Sequence, residues 1–215
     1  MINYVINNVI NNVINNVILL SDKKHTMLLR KDYTSMKRVF VFSALLLFAF
    51  SGCEKEEGPD TSGEATLTSD RFLEGSTYSI YGFSFEQGKV IKYNPAGEGI
   101  IPDFFILPKT GTGGQPTGAL LDSPNQNKSF SLTAEFSGSS LALQYFNEYK
   151  SIIDSNFVFL ADPLNENQVW TFCTRDNKFG KILIKEVKAF VKDTKNYAET
   201  TFLWEFQPDG SMDFK

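Results

Sequence analysis

The sequence predicts a mainly β domain, an antiparallel sandwich or strongly curved sheet with one α-helix over about residues 141–153. Three observations predict it. Aromatic residues make up 14% of the 215-residue chain and include 20 phenylalanines, so a core can form without the staples that a chain holding only Cys53 and Cys173 lacks. Short β-rich runs recur between clusters of Gly, Pro, Asn and Asp, the pattern of strands joined by turns. Only one stretch shifts to helical spacing, and strand and helix do not alternate often enough for a parallel sheet.

The first strands are a hairpin. Tyr78-Ser79-Ile80-Tyr81-Gly82-Phe83-Ser84-Phe85 is aromatic and β-rich, Glu86-Gln87-Gly88 supplies the turn, and Lys89-Val90-Ile91-Lys92-Tyr93 returns. Asp103-Phe104-Phe105-Ile106-Leu107 is a short apolar strand closed by Pro102 and Pro108. Residues 109–127, rich in glycine and proline, predict a long surface loop. Phe130, Leu132, Ala134 and Phe136 then alternate with Ser129, Ser131, Thr133 and Glu135, as in a half-buried strand.

Behind Ser139 and Ser140, either able to cap, the period changes. Ala142, Phe146, Tyr149 and Ile153 recur at helical spacing, with Leu141, Tyr145 and Ile152 widening the stripe. Strands over residues 168–174, 179–190 and 198–206 follow, with a turn at Arg175-Asp176-Asn177 and a last one at Pro208-Asp209-Gly210.

Ahead of the domain the chain carries addressing information. The tetrad Val-Ile-Asn-Asn repeats from Val5 through Asn16, but β-branched residues and Asn form helices poorly. Met36-Lys37-Arg38 is followed by an apolar run, residues 39–50, and by Ser51-Gly52-Cys53. A basic start, about a dozen apolar residues and a small-residue exit form the layout of a secretion signal, shorter than the roughly 20 residues of a spanning helix. Phe50-Ser51-Gly52-Cys53 resembles a bacterial lipobox, which implies lipidation of Cys53 and anchoring in a membrane through several acyl chains. The expected organisation is therefore residues 1–35 as translated upstream sequence, 36–52 as signal peptide, 53–64 as lipidated cysteine and tether, and 65–215 as one β-rich domain. The cluster Glu54-Lys55-Glu56-Glu57 resembles the signal that exports lipoproteins of the Bacteroidetes to the outer face of the outer membrane; a charged linker facing the periplasm is the alternative. Beyond residue 52 there remain 15 basic and 23 acidic residues, a net charge of −8 that repels nucleic acid.

This organisation limits the chemistry. His25, the only histidine, precedes the signal, so no imidazole is left for a Ser-His-Asp or Cys-His site or for a zinc site. Cys173 lies between Phe172 and Thr174 and reads as a small buried thiol. Thr110-Gly111-Thr112-Gly113-Gly114-Gln115-Pro116 lacks the Lys-Ser/Thr pair of a phosphate loop. Glu86, Asp103, Asp122, Glu135, Asp154 and Asp162 are candidates for a glycosidase pair, whose requirement is a separation that sequence does not supply. Tyr78, Tyr81, Trp170 and Trp204 are candidate ligand-binding residues, able to stack on sugar faces or to pack inward. The expectation is a non-enzymatic binding protein whose ligand is a small molecule, a glycan or a protein, with residues 109–127 and these aromatics forming the binding face.

Val169-Trp170-Thr171-Phe172-Cys173-Thr174-Arg175-Asp176-Asn177-Lys178-Phe179-Gly180-Lys181-Ile182 and Thr201-Phe202-Leu203-Trp204-Glu205-Phe206-Gln207-Pro208-Asp209-Gly210-Ser211 together resemble the HmuY-like lipoproteins of the Bacteroidetes. In that family an aromatic strand enters an Asp-Gly-Lys turn, an aromatic, a lysine and an alternating strand follow, and the domain ends near Gln-x-Asp-Gly-Ser. Asp176-Asn177-Lys178-Phe179, Lys181 and Gln207 to Ser211 hold those places, with Asn177 where the family has glycine. The resemblance implies an outer-membrane-anchored β protein, and some members bind haem. Their histidine pair does not carry over. Haem here would need Tyr78, Tyr81, Tyr93, Tyr145, Tyr149, Tyr197 or Met212 as ligand.

Overall fold

The computed structural model describes residues 59–125, 127–153 and 156–214. The expected upstream segment 1–35, the signal peptide, Cys53, residues 54–58 of the tether, and Asp154 lie outside them. The strands are β1 (Ser62–Thr68), β2 (Arg71–Glu74), β3 (Thr77–Ser84), β4 (Lys89–Tyr93), β5 (Phe105–Thr110), β6 (Pro116–Asp122), β7 (Phe130–Glu135), β8 (Leu160–Leu164), β9 (Gln168–Cys173), β10 (Phe179–Lys192) and β11 (Lys195–Gln207), with helix α1 (Ser139–Glu148) between β7 and β8. One five-stranded antiparallel sheet has the order β1-β11-β10-β9-β7, and two three-stranded sheets have the orders β2-β3-β4 and β5-β6-β8. The fold is mainly β and sandwich-like, with the single helix found among the described residues packed on the outer face of the large sheet.

Aromatic burial explains the layers. From the large sheet, Phe172, Ile182, Ile184, Phe202, Trp204 and Phe206 face inward to meet Phe83, Phe85, Phe104 and Ile106. Phe83 lies at the centre, with ring centroids of Phe85, Phe104, Phe202 and Trp204 all 5.2 to 5.4 Å away. Gly180 is required by this packing, because a Cβ there would stand 2.5 Å from the Phe85 ring. On the opposite face of the same sheet, Val169 and Leu183 pack under Ala142 and Phe146 of α1. Covered on both faces, β9 is buried from Gln168 through Phe172 and loses the period of two.

Five boundaries differ from the sequence expectation, each for a tertiary reason. The domain's first strand starts at Ser62, inside the expected tether, because β1 pairs with β11 from Ser62 opposite Glu205 onward. Residues 109–127 are not a long loop. β5 runs through Pro108 to Thr110, a tight turn with Gly111 N–H bonded to Gln115 O at 2.9 Å reverses the chain, and β6 follows. Pro108 is tolerated because β5 is an edge strand. The ladder of β10 and β11 extends to Lys192 opposite Lys195, since Asp193 and Thr194 both adopt positive φ, at 48° and 66°, in a two-residue turn. β7 does not alternate as expected: a register shift between Leu132 and Ala134 leaves Leu132 44% exposed while Ser129 and Ser131 are buried.

The helix is the fifth difference. It starts two residues earlier, with Gly138 as N-cap and no side-chain cap bond, so Ser139 and Ser140 lie in its first turn. It ends at Glu148, and Ile153 is 83% exposed. The reason is the C-terminal segment, which pairs with the chain just past the helix: Ile152 N–H donates to Met212 O at 2.8 Å and Phe214 N–H to Lys150 O at 2.7 Å. Lys181 completes the stop. Its ammonium is fully buried, donates to Phe146 O and Tyr149 O at 2.8 Å each, and pairs with Glu205 at 2.8 Å. A cation at a helix C-terminus meets both the unpaired carbonyls and the negative end of the dipole.

Lys181→Ala would leave Glu205 and two helix carbonyls without this partner, a loss of about 3 to 5 kcal/mol for one half of a buried pair. Urea unfolding of the variant is expected to show that drop, and an unchanged midpoint would contradict the assigned role.

Candidate functional site

At one end of the sandwich, the turn after β3, the segment that crosses β3, the turn after β6 and the turn between β9 and β10 enclose a cleft of about 270 Å³. Its carboxylates are Glu86, Asp103 and Asp176, its cations are Arg175 and Lys178, and Phe206 closes the floor.

Each wall is held by backbone geometry. The crossing segment is locked by Phe83 N–H to Phe104 O and by Asp103 N–H to Phe83 O, both at 2.8 Å. Pro102 presses on Gly82, where a Cβ would lie 2.5 Å from the proline ring. Asp103 Oδ2 then accepts from Phe85 N–H at 2.7 Å, and Ser123 Oγ donates to Asp103 O at 2.8 Å. The opposite wall is the turn Thr174 to Lys178, closed by Asn177 N–H to Thr174 O at 3.1 Å and by Lys178 N–H to Thr174 Oγ1 at 3.1 Å, with Asn177 at φ 57°. This turn carries Arg175 and Asp176 at its tip. Arg175 Nε donates to Asn125 Oδ1 at 3.1 Å, and Lys178 Nζ lies 3.4 Å from Glu86 Oε1.

Burial pushes the Asp103 carboxyl up to about 6; the Phe85 N–H opposes that rise, Glu86 and Asp176 add to it, and Arg175 opposes it. The cleft thus combines a desolvated acid with an exposed guanidinium. No protein family matches this sequence, and neither a curated protein nor a solved structure matches it.

The structure separates the sequence candidates. Trp170 and Trp204 are 3% and 2% exposed and belong to the core, so neither offers a ring face to a ligand; Trp170 Nε1 donates to Gln168 Oε1 at 3.0 Å. Tyr81 packs against the same core, with its ring 5.1 Å from Phe72. Tyr78 alone of the four is open, at 64%, and it lies on the outer face of β3 opposite Leu73. The tyrosines do not share one site: Tyr145 stacks on Tyr149, which is buried beside Phe214, Tyr197 donates to Glu199 Oε2 at 2.8 Å, and Met212 is exposed near the C-terminus.

Of the candidate carboxylates, Glu86 and Asp103 meet in the cleft. Asp162 instead pairs with Lys109, Glu135 accepts from Gln168, and Asp122 lies on β6, its carboxyl raised by burial. Cys173 is half-buried, and burial pushes its thiol up. Among the described residues no group of three or more His, Cys, Asp or Glu is placed to hold a metal ion. Sequence reasoning missed Arg175, Asp176, Lys178 and Asn125 as site residues. A signal was present, since Arg175-Asp176-Asn177-Lys178 puts three charges on one tight turn, but turn chemistry accounts for the same residues.

Because the folded Asp103 binds its proton more tightly than the unfolded one, stability contributed by this group falls as pH rises from the ordinary carboxylate range through about 6. Asp103→Asn keeps an acceptor for Phe85 N–H and removes the charge. It is expected to raise stability at pH 7 by on the order of 1–2 kcal/mol and to flatten the slope between pH 4 and 7, as read by urea titration at a series of pH values. A slope unchanged by the substitution would overturn the assignment.

Proposed function

We propose that the protein is a lipid-anchored component of the cell envelope, at the outer-membrane surface, that binds a ligand without transforming it. The observation that carries the binding role is the Asp103 cleft, where hydrogen bonds from Phe85 N–H to Asp103 and from Arg175 to Asn125 hold polar groups of both signs around an open volume. Preformed concavity with a few convergent polar groups is the usual form of a ligand site. The anchoring role rests on Lys37-Arg38, the apolar run and Ser51-Gly52-Cys53. The likeness to the HmuY-like lipoproteins supports the same placement, and the Asp176-Asn177-Lys178 turn on which that likeness partly rests forms one wall of the cleft.

A second reading, cleavage of a glycosidic bond, is favoured by one observation: Glu86, Asp103 and Asp176 line a single cleft and Asp103 holds its proton up to about 6.

Two measurements test the proposal. Full-length protein expressed in a diderm bacterium is expected to incorporate labelled palmitate and to sediment with outer membranes, and Cys53→Ser to do neither; unlabelled wild-type protein would end the anchoring claim. In a metabolite screen by amide NMR of the full-length protein, at least one compound is expected to shift Ile100, Asp103 and Arg175 together, and a screen in which none does removes the cleft as the site. Hydrolysis of an aryl glycoside, lost in Asp103→Asn, would establish the second reading instead.

A further inference from the structure

The two poles of the cleft form no ion pair with each other. Arg175 is held through Nε to Asn125, and among the described residues no carboxylate lies within ion-pair distance of its guanidinium. Held there, the side chain keeps its two terminal nitrogens for an end-on carboxylate. On the other side, Asp103 is fixed by Phe85 N–H and flanked by Glu86 and Asp176. Lys178, 3.4 Å from Glu86, offsets part of that negative charge, but among the described residues no cation lies in ion-pair distance of Asp103 or Asp176.

An apolar lip completes the cleft. Ile100 and Ile101, in the segment that crosses β3, are 53% and 39% exposed and line the same volume. A surface that leaves two adjacent isoleucines open beside unpaired charges of both signs suits an amphiphilic ligand. The charge pattern is selective. A simple anion would meet three carboxylates and a simple cation would meet Arg175, whereas a ligand carrying both charges pairs with each pole. At about 270 Å³, the volume is just under the roughly 300 Å³ at which drug-sized pockets begin, too small for a haem or an oligosaccharide.

We propose that the cleft binds a small zwitterion with an apolar side chain, a free amino acid or dipeptide, with its carboxylate on Arg175, its ammonium on Asp103 and Asp176, and its side chain against Ile100 and Ile101. This assignment rests on the cleft being the ligand site.

The test is titration of the full-length protein with L-leucine and L-leucyl-L-leucine, followed by calorimetry and by the amide signals of Ile100, Asp103 and Arg175. At least one of the two is expected to bind saturably. N-acetylation or C-terminal amidation of that ligand is each expected to weaken binding by about tenfold or more, the factor for one lost charge pair of about 1.4 kcal/mol. Arg175→Gln, an exposed turn position, is expected to weaken the amino-acid ligand likewise while leaving the melting temperature unchanged. Equal binding of free and doubly capped peptide, or no binding of either free form, overturns the proposal. If a compound of another class then shifts the same three amides, the cleft remains a ligand site and only the ligand class is lost; if none does, the cleft reading falls with it.

Discussion

Phe83 and Phe85 set the terms for the rest of the structure. Both are fully buried, Phe83 near the end of β3 and Phe85 in the turn just past it, and between them they touch rings from the large sheet and from the crossing segment. Aromatic rings of this size bury much surface but demand close approach, which Gly180 supplies under Phe85, while Gly82 lets Pro102 of the crossing segment approach β3. Through these contacts the crossing segment is clamped across β3, and the clamp brings the Asp103 carboxylate to the Phe85 N–H. A packing requirement in the core thereby fixes the most perturbed acid of the cleft.

Lys181 connects a different set of elements by electrostatics. Its ammonium bridges β10, the Glu205 side chain on β11 and the last carbonyls of α1, and it lies 4.7 Å from the Phe146 and Phe214 rings. Burial pulls the pKa of this lysine down and the Glu205 carboxylate opposes that pull. A buried ammonium persists only where every donor is used, and here two carbonyls and a carboxylate use them. The helix end, the C-terminal segment and the large sheet consequently share one polar centre, remote in sequence from all but β10.

The two walls of the cleft are held in different ways. One wall, with Asp103, is rigidly clamped by the core, while the other is a five-residue turn closed by the Thr174 hydroxyl and backbone. Acid on the first wall and guanidinium on the second form no ion pair, and Arg175 bonds Asn125 instead. Opposite charges that stay apart in one concavity are the electrostatic form of a binding site for a dipolar ligand.

What the sequence by itself determined is local: a β-rich class, the hairpin turning at Glu86-Gln87-Gly88, the turn at Asp176-Asn177 and a helix after Gly138. Each depends on neighbours in the chain, on turn chemistry or on periodicity, which one sequence displays. The tertiary structure alone decided that Trp170 and Trp204 face the core, that α1 stops at Glu148, that Phe105–Thr110 and Pro116–Asp122 pair as strands, and that Asp103 and Arg175 share a cleft. Those outcomes join residues far apart in the chain, as in the pairing of Asp103 with Phe85 or Lys181 with Tyr149. Their energies come from burial and from exchange of hydrogen bonds between distant partners, quantities that no local pattern carries.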